Sequence, residues 1–279
     1  MSAIIMDGKA LAQKIKVDIA AAIGKFDKPV GLGTILVGND PGSVAYVEGK
    51  HRDCAEVGIK SIKVNLPATS NTSEVIAAVN ALNTDPSCTG FIVQLPLPVG
   101  VDTQKVLSAI NPAKDADGLT PNNLGNLVLG FNSVVACTPK AIVALLAEYK
   151  INLSGVKVLV IGRGMTVGRP LSILLSQKPI NATLTLAHSA SKNLTELIKE
   201  SDVVIAAMGS AQFIKAEMVK KGSVLVDVGI TREGNQLVGD FDPKVIEVAS
   251  AYAPMPGGVG PMTRVMLLKN VIELARNEK

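Results

Sequence analysis

Tyr46 and Lys50 form the pair of side chains in this sequence that best fits acid–base chemistry. They are four residues apart in a stretch that predicts a helix over 44–57, so both project from one helix face, with Ser43 about a turn earlier. Partial burial would lower the pKa of the lysine toward the range that is useful for proton transfer. An exposed lysine beside a packing tyrosine is the alternative at this point, because Tyr-x-x-x-Lys patterns are common.

Gln94 and Asp117 are polar residues placed where a predicted strand and a loop could present them to a ligand. Gln94 lies in a predicted strand over 89–95, which Pro96 and Pro98 then stop, and ligands of open α/β sheets gather at such strand ends. Asp117 belongs to a Lys-Asp-Ala-Asp-Gly loop, where carboxylates cap turns, bind cations or are solvated. Because no histidine or third carboxylate is close in sequence, we predict no metal site there.

Three glycines, Gly162, Gly164 and Gly168, stand between a predicted strand over 156–161 and an apolar stretch over 171–175. A strand, a glycine-rich turn and a helix start together suit a pyrophosphate, which the helix N–H groups and dipole would stabilise. The spacing is one residue longer than the commonest dinucleotide fingerprint, so an ordinary tight turn is the alternative.

The residues after the next predicted strand, Thr183–Ala187, favour NADP over NAD. An NAD site usually has an acid there for the ribose hydroxyls, but this chain has His188 and Ser189. Arg163, inside the glycine loop, could supply a guanidinium fork to a 2′-phosphate, with Ser189 adding a hydroxyl. The plainer interpretation makes Arg163 a solvated loop residue and His188 a helix cap.

The tract 254–263 is unusually rich in glycine and proline and includes Gly257 and Pro261. Such a segment can bring bare backbone against a ligand, or it can act as a hinge. Either role would place it between two more regular parts of the chain.

Hydrophobic periodicity supplies the elements that would position these residues. In the first half, predicted strands alternate with helices, and Gly58 and an Asn71–Glu74 capping box mark helix ends. The second half has near-continuous apolar strands separated by segments of helical length, which is typical of a parallel sheet buried on both faces. The predicted strands are Gly31–Val37, 59–64, 89–95, 156–161, Thr183–Ala187, 202–206 and 223–228. The predicted helices include 44–57, 73–82, one beginning with Thr138 as N-cap, 263–277, and a first helix within 1–26.

Composition narrows the class of protein. The chain has 279 residues, 47% of them hydrophobic, and contains no run long enough for a membrane span. A net charge of +4 without a basic block argues against a nucleic-acid binder and leaves small anions as possible ligands. The three cysteines are scattered, which predicts buried thiols in a reducing compartment, the cytoplasm. We therefore expect an α/β protein: two α/β domains around a cleft, the second a Rossmann-like dinucleotide-binding domain.

Taken together, these motifs resemble one family, the bifunctional methylenetetrahydrofolate dehydrogenase/methenyltetrahydrofolate cyclohydrolases. The resemblance follows the family's order and length over nearly the whole chain, and its most specific parts are the lysine helix and the Pro256–Thr263 tract. It implies a catalytic folate-binding domain over 1–138 plus 264–279, and a Rossmann-like NADP-binding domain over 139–263. The motifs that carry it are Ser43 with Tyr46 and Lys50, Gln94–Pro98, Lys114–Gly118, Gly162–Arg163 with Val167–Pro170, His188–Ser189 and Pro256–Thr263.

The resemblance implies NADP-dependent oxidation of 5,10-methylenetetrahydrofolate and hydrolysis of the methenyl product to 10-formyltetrahydrofolate. These are reactions of one-carbon metabolism that supply purine biosynthesis, and the family suggests a homodimer. Lys50 would be the principal catalytic group, oriented by Gln94, with Tyr46 packed on the folate and Asp117 accepting hydrogen bonds from the pterin. Substrate contacts would fall on Ser43, Tyr46, Asp117, Gly257 and Pro261. Cofactor contacts would fall on Gly162, Arg163, Gly164, Val167, Gly168, His188, Ser189 and Ile230.

The chain departs from the family pattern at three places. Gly164 stands where many members have serine, Thr120 replaces a frequent histidine, and the helix continues after Lys50 with a less basic segment, 51–53. None of these departures removes a catalytic group, so they bear on the balance between the two activities.

Three alternatives compete with this interpretation. A non-catalytic NADP-binding regulator would keep the fold without turnover, and a monofunctional dehydrogenase would keep only the redox step. Short-chain dehydrogenases also use Tyr-x-x-x-Lys, but there the pair follows the dinucleotide loop, and here Tyr46 and Lys50 precede it.

Overall fold

Parallel strands joined by helices dominate the computed structural model, which describes residues 3–234 and 236–277. The strands are β1 Ile4–Ile5, β2 Gly31–Val37, β3 Lys60–Leu66, β4 Gly90–Val93, β5 Lys157–Ile161, β6 Thr183–Ala187, β7 Val203–Ala206, β8 Val224–Asp227, β9 Thr231–Glu233, β10 Gln236–Val238 and β11 Ala251–Ala253. The helices are α1 Gly8–Ile23, α2 Pro41–Val57, α3 Thr72–Thr84, α4 Thr103–Ser108, α5 Pro121–Leu129, α6 Cys137–Glu148, α7 Gly168–Ser176, α8 Leu194–Glu200 and α9 Val259–Asn277. The predicted α/β class is confirmed. None of the helices within the described residues is long and apolar enough to cross a membrane.

The chain divides into two units of internal contacts. The lysine unit comprises Lys14–Cys137 and the segment from Arg264 onward, and the glycine-loop unit comprises the residues up to Gln13 together with Thr138–Thr263. The boundaries expected from the sequence grouped the N-terminal residues with the lysine helix. In the structure they group with the glycine loop, because β1 pairs in parallel with β11.

A three-stranded parallel sheet of order β3-β2-β4 forms the centre of the lysine unit. All seven residues of β2 are buried, as befits a central strand covered on both faces. Helices α2 and α3 are the connections between these strands, so the sequence runs β2-α2-β3-α3-β4. This is the predicted alternation, and parallel strands require such crossovers.

Local end signals fix the helices of this sheet. The carboxylate of Asp40 accepts the Ser43 N–H at 2.8 Å and opens α2, and Gly58 closes the helix at φ 82°, a conformation that suits glycine. Asn71 and Glu74 form the predicted capping box at the start of α3. The predicted end of α2 at Gly58 and the predicted capping box of α3 are confirmed, whereas α2 begins at Pro41 and not at residue 44.

A six-stranded parallel sheet of order β1-β11-β8-β7-β5-β6 forms the glycine-loop unit. The chain passes from β5 to β6 on one side and then places β7 on the other side of β5, which makes the carboxyl ends of β5 and β7 a topological switch point. Ligands of open α/β sheets bind at such points. The order and the switch point agree with the predicted Rossmann-like domain.

Some elements differ from their predicted bounds. The first helix begins only at Gly8, because Ile4 and Ile5 form a strand, and residues 1–2 lie outside the described residues. The helix expected from Thr138 begins at Cys137, and the last helix begins at Val259 rather than Thr263. The strands β9, β10 and β11, each three residues long, were not predicted.

Candidate active site

Lys50 lies in the interior of the lysine unit, although lysines are rarely buried. It stands on α2 and only 6% of its surface is exposed. Ser43, two turns earlier on the same helix, is also buried. The alternative of a solvated lysine therefore does not describe this residue.

Gln94 holds the lysine amine in place. Lys50 Nζ donates to Gln94 Oε1 over 3.0 Å, and Gln94 Nε2 donates to the carbonyl of Leu95 over 2.6 Å. Because the amide nitrogen is engaged by the backbone, the amide oxygen faces the lysine. The strand β4 ends at Val93, so the turn that follows it presents Gln94 to α2.

Tyr46 contributes an aromatic surface beside the amine. Lys50 Nζ lies 5.0 Å from the centre of the Tyr46 ring, within the range of a cation–π contact. The two residues are one helical turn apart, as their spacing predicted, and Tyr46 is half-buried.

Burial lowers the pKa of Lys50 from its usual value, because desolvation disfavours the ammonium form. The nearby Asp117 carboxylate opposes that effect, and the positive charge of Arg264 adds to it. Burial raises the pKa of Asp117, while Lys50 works in the opposite direction. The lysine is thus poised nearer to its neutral form, which is the form that can accept a proton.

The two carboxylates of the 114–118 loop have different tasks. Asp115 accepts hydrogen bonds from the Gly118 N–H at 2.9 Å, the Thr120 N–H at 2.8 Å and Asn123 Nδ2 at 2.9 Å. It therefore shapes the loop, and the electrostatic partner of Lys50 is Asp117. Thr120, one of the departures noted above, is the N-cap of α5 and accepts the Asn123 N–H.

An ionic cluster next to Lys50 escaped the sequence analysis. Asp53 pairs with Lys16 Nζ at 2.5 Å and with Arg264 Nε at 2.9 Å, and its carboxylate is almost completely buried. The Arg264 guanidinium also covers Gly49, where a Cβ would lie 2.4 Å from Nη1. No spacing rule joins residues that are so far apart in the chain. The only signal was the change of charge at 51–53.

In the glycine-loop unit, two of the three glycines are required by close backbone contacts. Gly162 has φ 114° and a Cβ there would lie 2.2 Å from the Ala207 carbonyl oxygen, while a Cβ on Gly168 would lie 1.8 Å from the Gly162 oxygen. A Cβ on Gly164 would meet no described atom within 4 Å, so the loop has room for either the glycine of this chain or the serine of many family members. Val167, the N-cap of α7, has no side-chain acceptor, so its side chain does not occupy the N-terminus of that helix. The loop fits a pyrophosphate.

The residues that follow β6 form a compact turn. The His188 N–H donates to Ser191 Oγ at 2.9 Å, and His188 Nδ1 accepts the Ala190 N–H at 3.2 Å. His188 therefore organises a turn, whereas α8 begins six residues later, so the helix-cap interpretation does not hold. Ser189 and Arg163 are both exposed and available to a ligand.

The remaining predicted contacts also belong to the glycine-loop unit. Ile230 lies shortly after β8 and is 50% exposed. Gly257 has φ 107° and its carbonyl accepts the Lys9 N–H at 3.1 Å, which ties the tract to α1. Pro261 lies in the first turn of α9 and is half-buried.

A dinucleotide-type sheet joined in one chain to a unit that buries a lysine defines a nucleotide-dependent enzyme of the α/β class. Two family models cover most of the sequence. Residues 6–117 match the tetrahydrofolate dehydrogenase/cyclohydrolase catalytic domain, and residues 136–279 match the NAD(P)-binding domain of the same family. The chain belongs to the tetrahydrofolate dehydrogenase/cyclohydrolase family.

Solved structures agree with this assignment. The chain is 38% identical to the bifunctional methylenetetrahydrofolate dehydrogenase/cyclohydrolase of Campylobacter jejuni, with 99% of each chain covered and a TM-score of 0.95. It is 34% identical to the Trypanosoma brucei dehydrogenase-cyclohydrolase complexed with NADP and an inhibitor, covering 100% of this chain and 99% of that one, with a TM-score of 0.95. The bifunctional enzyme of Thermoplasma acidophilum is 30% identical, with 98% of each chain covered and a TM-score of 0.91.

Proposed function

We propose that this enzyme oxidises 5,10-methylenetetrahydrofolate to 5,10-methenyltetrahydrofolate with NADP and hydrolyses the product to 10-formyltetrahydrofolate. The observation that carries the proposal is the buried Lys50 amine held 3.0 Å from Gln94 Oε1. Burial lowers the pKa of this lysine, because desolvation disfavours the ammonium form, and so favours the neutral amine that the hydrolytic step needs as a proton acceptor.

The redox step makes few demands on the side chains. NADP, when bound, supplies the hydride acceptor. Loss of hydride leaves a cation stabilised by the folate nitrogens, so no strong base is required. The protein must hold the methylene carbon of the folate against the hydride-accepting carbon of the nicotinamide. We assign this positioning to Tyr46, which would pack on the folate rings, and to Asp117, which would bind the pterin.

The hydrolytic step uses Lys50 twice. The neutral amine accepts a proton from a water molecule as its oxygen bonds to the methenyl carbon. The ammonium that forms then returns a proton to the folate nitrogen N5 as the bond between carbon and N5 breaks. The hydrogen left on the new hydroxyl leaves as a proton to solvent water, so that the oxygen becomes the carbonyl of the formyl group on N10. Gln94 fixes one N–H of the amine through its carbonyl oxygen, so the lone pair keeps one direction during this exchange.

Substrate recognition is proposed to involve one carboxylate and three further residues. The Asp117 carboxylate would accept hydrogen bonds from the pterin amino and ring N–H groups, whose partial positive charge offsets the cost of its burial. Ser43, Gly257 and Pro261 are proposed as further substrate contacts.

Cofactor recognition is proposed for the carboxyl edge of the six-stranded sheet. Gly162, Gly164, Val167 and Gly168 would approach the pyrophosphate, and Arg163 with Ser189 would receive the 2′-phosphate. His188 would shape the turn that carries Ser189, and Ile230 would offer an apolar contact. Selectivity for NADP over NAD rests on the two exposed residues, Arg163 and Ser189.

The test is an absorbance assay of the purified protein with 5,10-methylenetetrahydrofolate and either NADP or NAD. We expect reduction of NADP in preference to NAD, and rapid loss of added methenyltetrahydrofolate. Cofactor binding with neither reaction would instead identify a regulator. Reduction without hydrolysis would identify a monofunctional dehydrogenase.

The setting of the enzyme is also a proposal. We place it in the cytoplasm, a reducing compartment, because Cys54, Cys88 and Cys137 are all buried thiols. We further propose that two copies associate as a homodimer and that 10-formyltetrahydrofolate supplies purine biosynthesis. Light scattering at several protein concentrations tests the dimer.

A further inference from the structure

Two buried carboxylates lie near the carboxyl edge of the six-stranded sheet, and the proposed reactions use neither. Asp227 ends β8 and is 1% exposed, and Asp240 follows β10 and is 0% exposed. Buried carboxylates are costly unless hydrogen bonds satisfy them, so the groups that face them indicate their purpose.

Asp240 binds backbone N–H groups of a single loop. Its carboxylate accepts the Met208 N–H at 2.7 Å, the Ser210 N–H at 2.7 Å and, more weakly, the Gly209 N–H at 3.4 Å. These three residues lie in the loop that follows β7, one residue beyond the end of the strand. Hydrogen bonds from N–H groups to a buried carboxylate are stronger than neutral ones, so this side chain fixes the path of the loop.

The same loop lies beside the glycine turn. The Ala207 N–H donates to the Ile161 carbonyl at 2.8 Å, and the Ala207 carbonyl oxygen would be 2.2 Å from a Cβ on Gly162. Strand β7 adjoins β5 on the side away from β6. A dinucleotide bound with its pyrophosphate at Gly162 and its 2′-phosphate at Ser189, beyond β6, would have its nicotinamide half on the β7 side of the switch point.

Asp240 is itself held by Asp227. The Asp227 carboxylate accepts the Asp240 N–H at 2.9 Å and the Phe241 N–H at 3.2 Å, and the Tyr252 hydroxyl donates to it at 3.4 Å. Glycines make room for both carboxylates: a Cβ on Gly229 would lie 2.1 Å from Asp240 Oδ2, and one on Gly239 would lie 1.9 Å from Asp227 Oδ2. Hydrogen bonds thus connect Asp227, at the end of β8, through Asp240 to the loop that follows β7.

We propose that Asp240 is a positioning residue of the dehydrogenase, which holds the Met208–Gly209–Ser210 loop in the conformation that receives the nicotinamide half of NADP. The inference rests on the proposed cofactor site and adds a residue that touches neither cofactor nor folate. It separates the two activities, because hydrolysis of added methenyltetrahydrofolate does not require the nicotinamide ring.

The test compares two ligands on Asp240→Asn: NADP, and adenosine 2′,5′-bisphosphate, which is the adenosine half without nicotinamide. Calorimetry should show NADP affinity reduced by about tenfold or more, since a charge-assisted contact is lost, while the bisphosphate binds within about threefold of the wild type. The Asp242→Asn variant is the matched control: that carboxylate lies two residues away, pairs with Lys215 and should leave both affinities unchanged.

A second variant keeps the proposal testable if Asp240→Asn does not fold. Gly209→Ala forces a side chain into φ 67° on an exposed loop without touching either carboxylate, and it should weaken NADP selectively as well. Unchanged NADP affinity in the folded variants, or an equal loss of both ligands, would overturn the proposal. Absence of turnover in the wild type would contradict the proposed function instead, and the binding comparison would still decide the role of Asp240.

Discussion

Arg264 Nε lies 2.9 Å from Asp53 Oδ2, and the Arg264 guanidinium covers the backbone of Gly49, the residue before Lys50. A permanent positive charge is thereby fixed beside the proposed catalytic amine. Lys16 shares the same carboxylate and also pairs with Glu56 at 2.6 Å, so each of the two cations has a carboxylate partner.

Replacing Arg264 by alanine should move the pH dependence of hydrolysis. Arg264 lowers the pKa of Lys50, so its loss raises that pKa and a higher pH is needed for the neutral amine. The acidic limb of the cyclohydrolase pH–rate profile should therefore shift to higher pH. Arg276→Ala, an exposed change on the same helix, is the control, and coincident profiles would contradict the electrostatic role.

Lys50→Ala should separate binding from hydrolysis. Without the amine, water activation and proton return both fail, and cyclohydrolase activity should fall by about 100-fold or more. NADP affinity should stay within a few-fold, since Lys50 is in the lysine unit and the glycine loop is not. Titration with NADP and an assay with added methenyltetrahydrofolate measure both. Full cyclohydrolase activity would remove Lys50 from the mechanism, and Lys105→Ala serves as an exposed control.

Arg163→Ala should discriminate between the two nicotinamide cofactors. Loss of a charge-assisted contact to the 2′-phosphate should raise KM for NADP by roughly 10- to 30-fold, and KM for NAD should hardly change. Arg232→Ala, an exposed arginine on β9, controls for net charge. Equal effects on NADP and NAD would refute the assignment of Arg163.

Asp227 should make the protein less stable as pH rises through the acidic range. Burial raises its pKa to about 7 from the model-peptide value of 3.8, despite the N–H groups of Asp240 and Phe241 and the Tyr252 hydroxyl, which favour the charged form. Between pH 4 and 7 the folded state thus holds a proton that the unfolded state has lost. The free energy of unfolding therefore falls as pH rises, by at most about 1.4 kcal/mol for each pH unit.

Denaturant unfolding of Asp227→Asn and wild type across that range measures this contribution. The variant loses one hydrogen-bond acceptor and will be less stable than the wild type at low pH. The informative quantity is therefore the slope of the free energy of unfolding against pH in each protein. The difference between the two proteins should shrink as pH approaches 7. A difference that is constant with pH would show that Asp227 does not titrate as argued.

Local patterns predicted the parts of the fold that local interactions determine. Strand β2 agrees with its predicted bounds, because an all-buried central strand has an apolar run that turn residues bracket. The ends of α2 and α3 follow from single residues whose side chains or φ angles satisfy the helix termini. By contrast, β1 is a two-residue strand at the sheet edge that depends on its pairing with β11, and a pair of isoleucines alone does not reveal a partner.

The sequence predicted which residue types form the candidate site, but it predicted few of the contacts between them. Tyr46 and Lys50 share a helix, so their proximity follows from spacing, but the bond from Lys50 to Gln94 joins α2 to the end of β4 and required the fold. Asp115 and Asp117 are equivalent in sequence, and only the three donors that converge on Asp115 separate their tasks. Asp53 and Arg264 were missed for the same reason.

Asn270, in the last described helix, is fully buried and donates to the carbonyl oxygens of Ala116 at 2.9 Å and Val135 at 3.0 Å. These are backbone groups on either side of α5, and Ala116 directly precedes Asp117. During synthesis on the ribosome, these two carbonyl groups can therefore accept their hydrogen bonds from Asn270 only after α9 has been made. The lysine unit is built from two segments, Lys14–Cys137 and the one from Arg264 onward, with Thr138–Thr263 of the other unit between them. Activity should therefore appear only after α9 has been synthesised, not after the first segment alone.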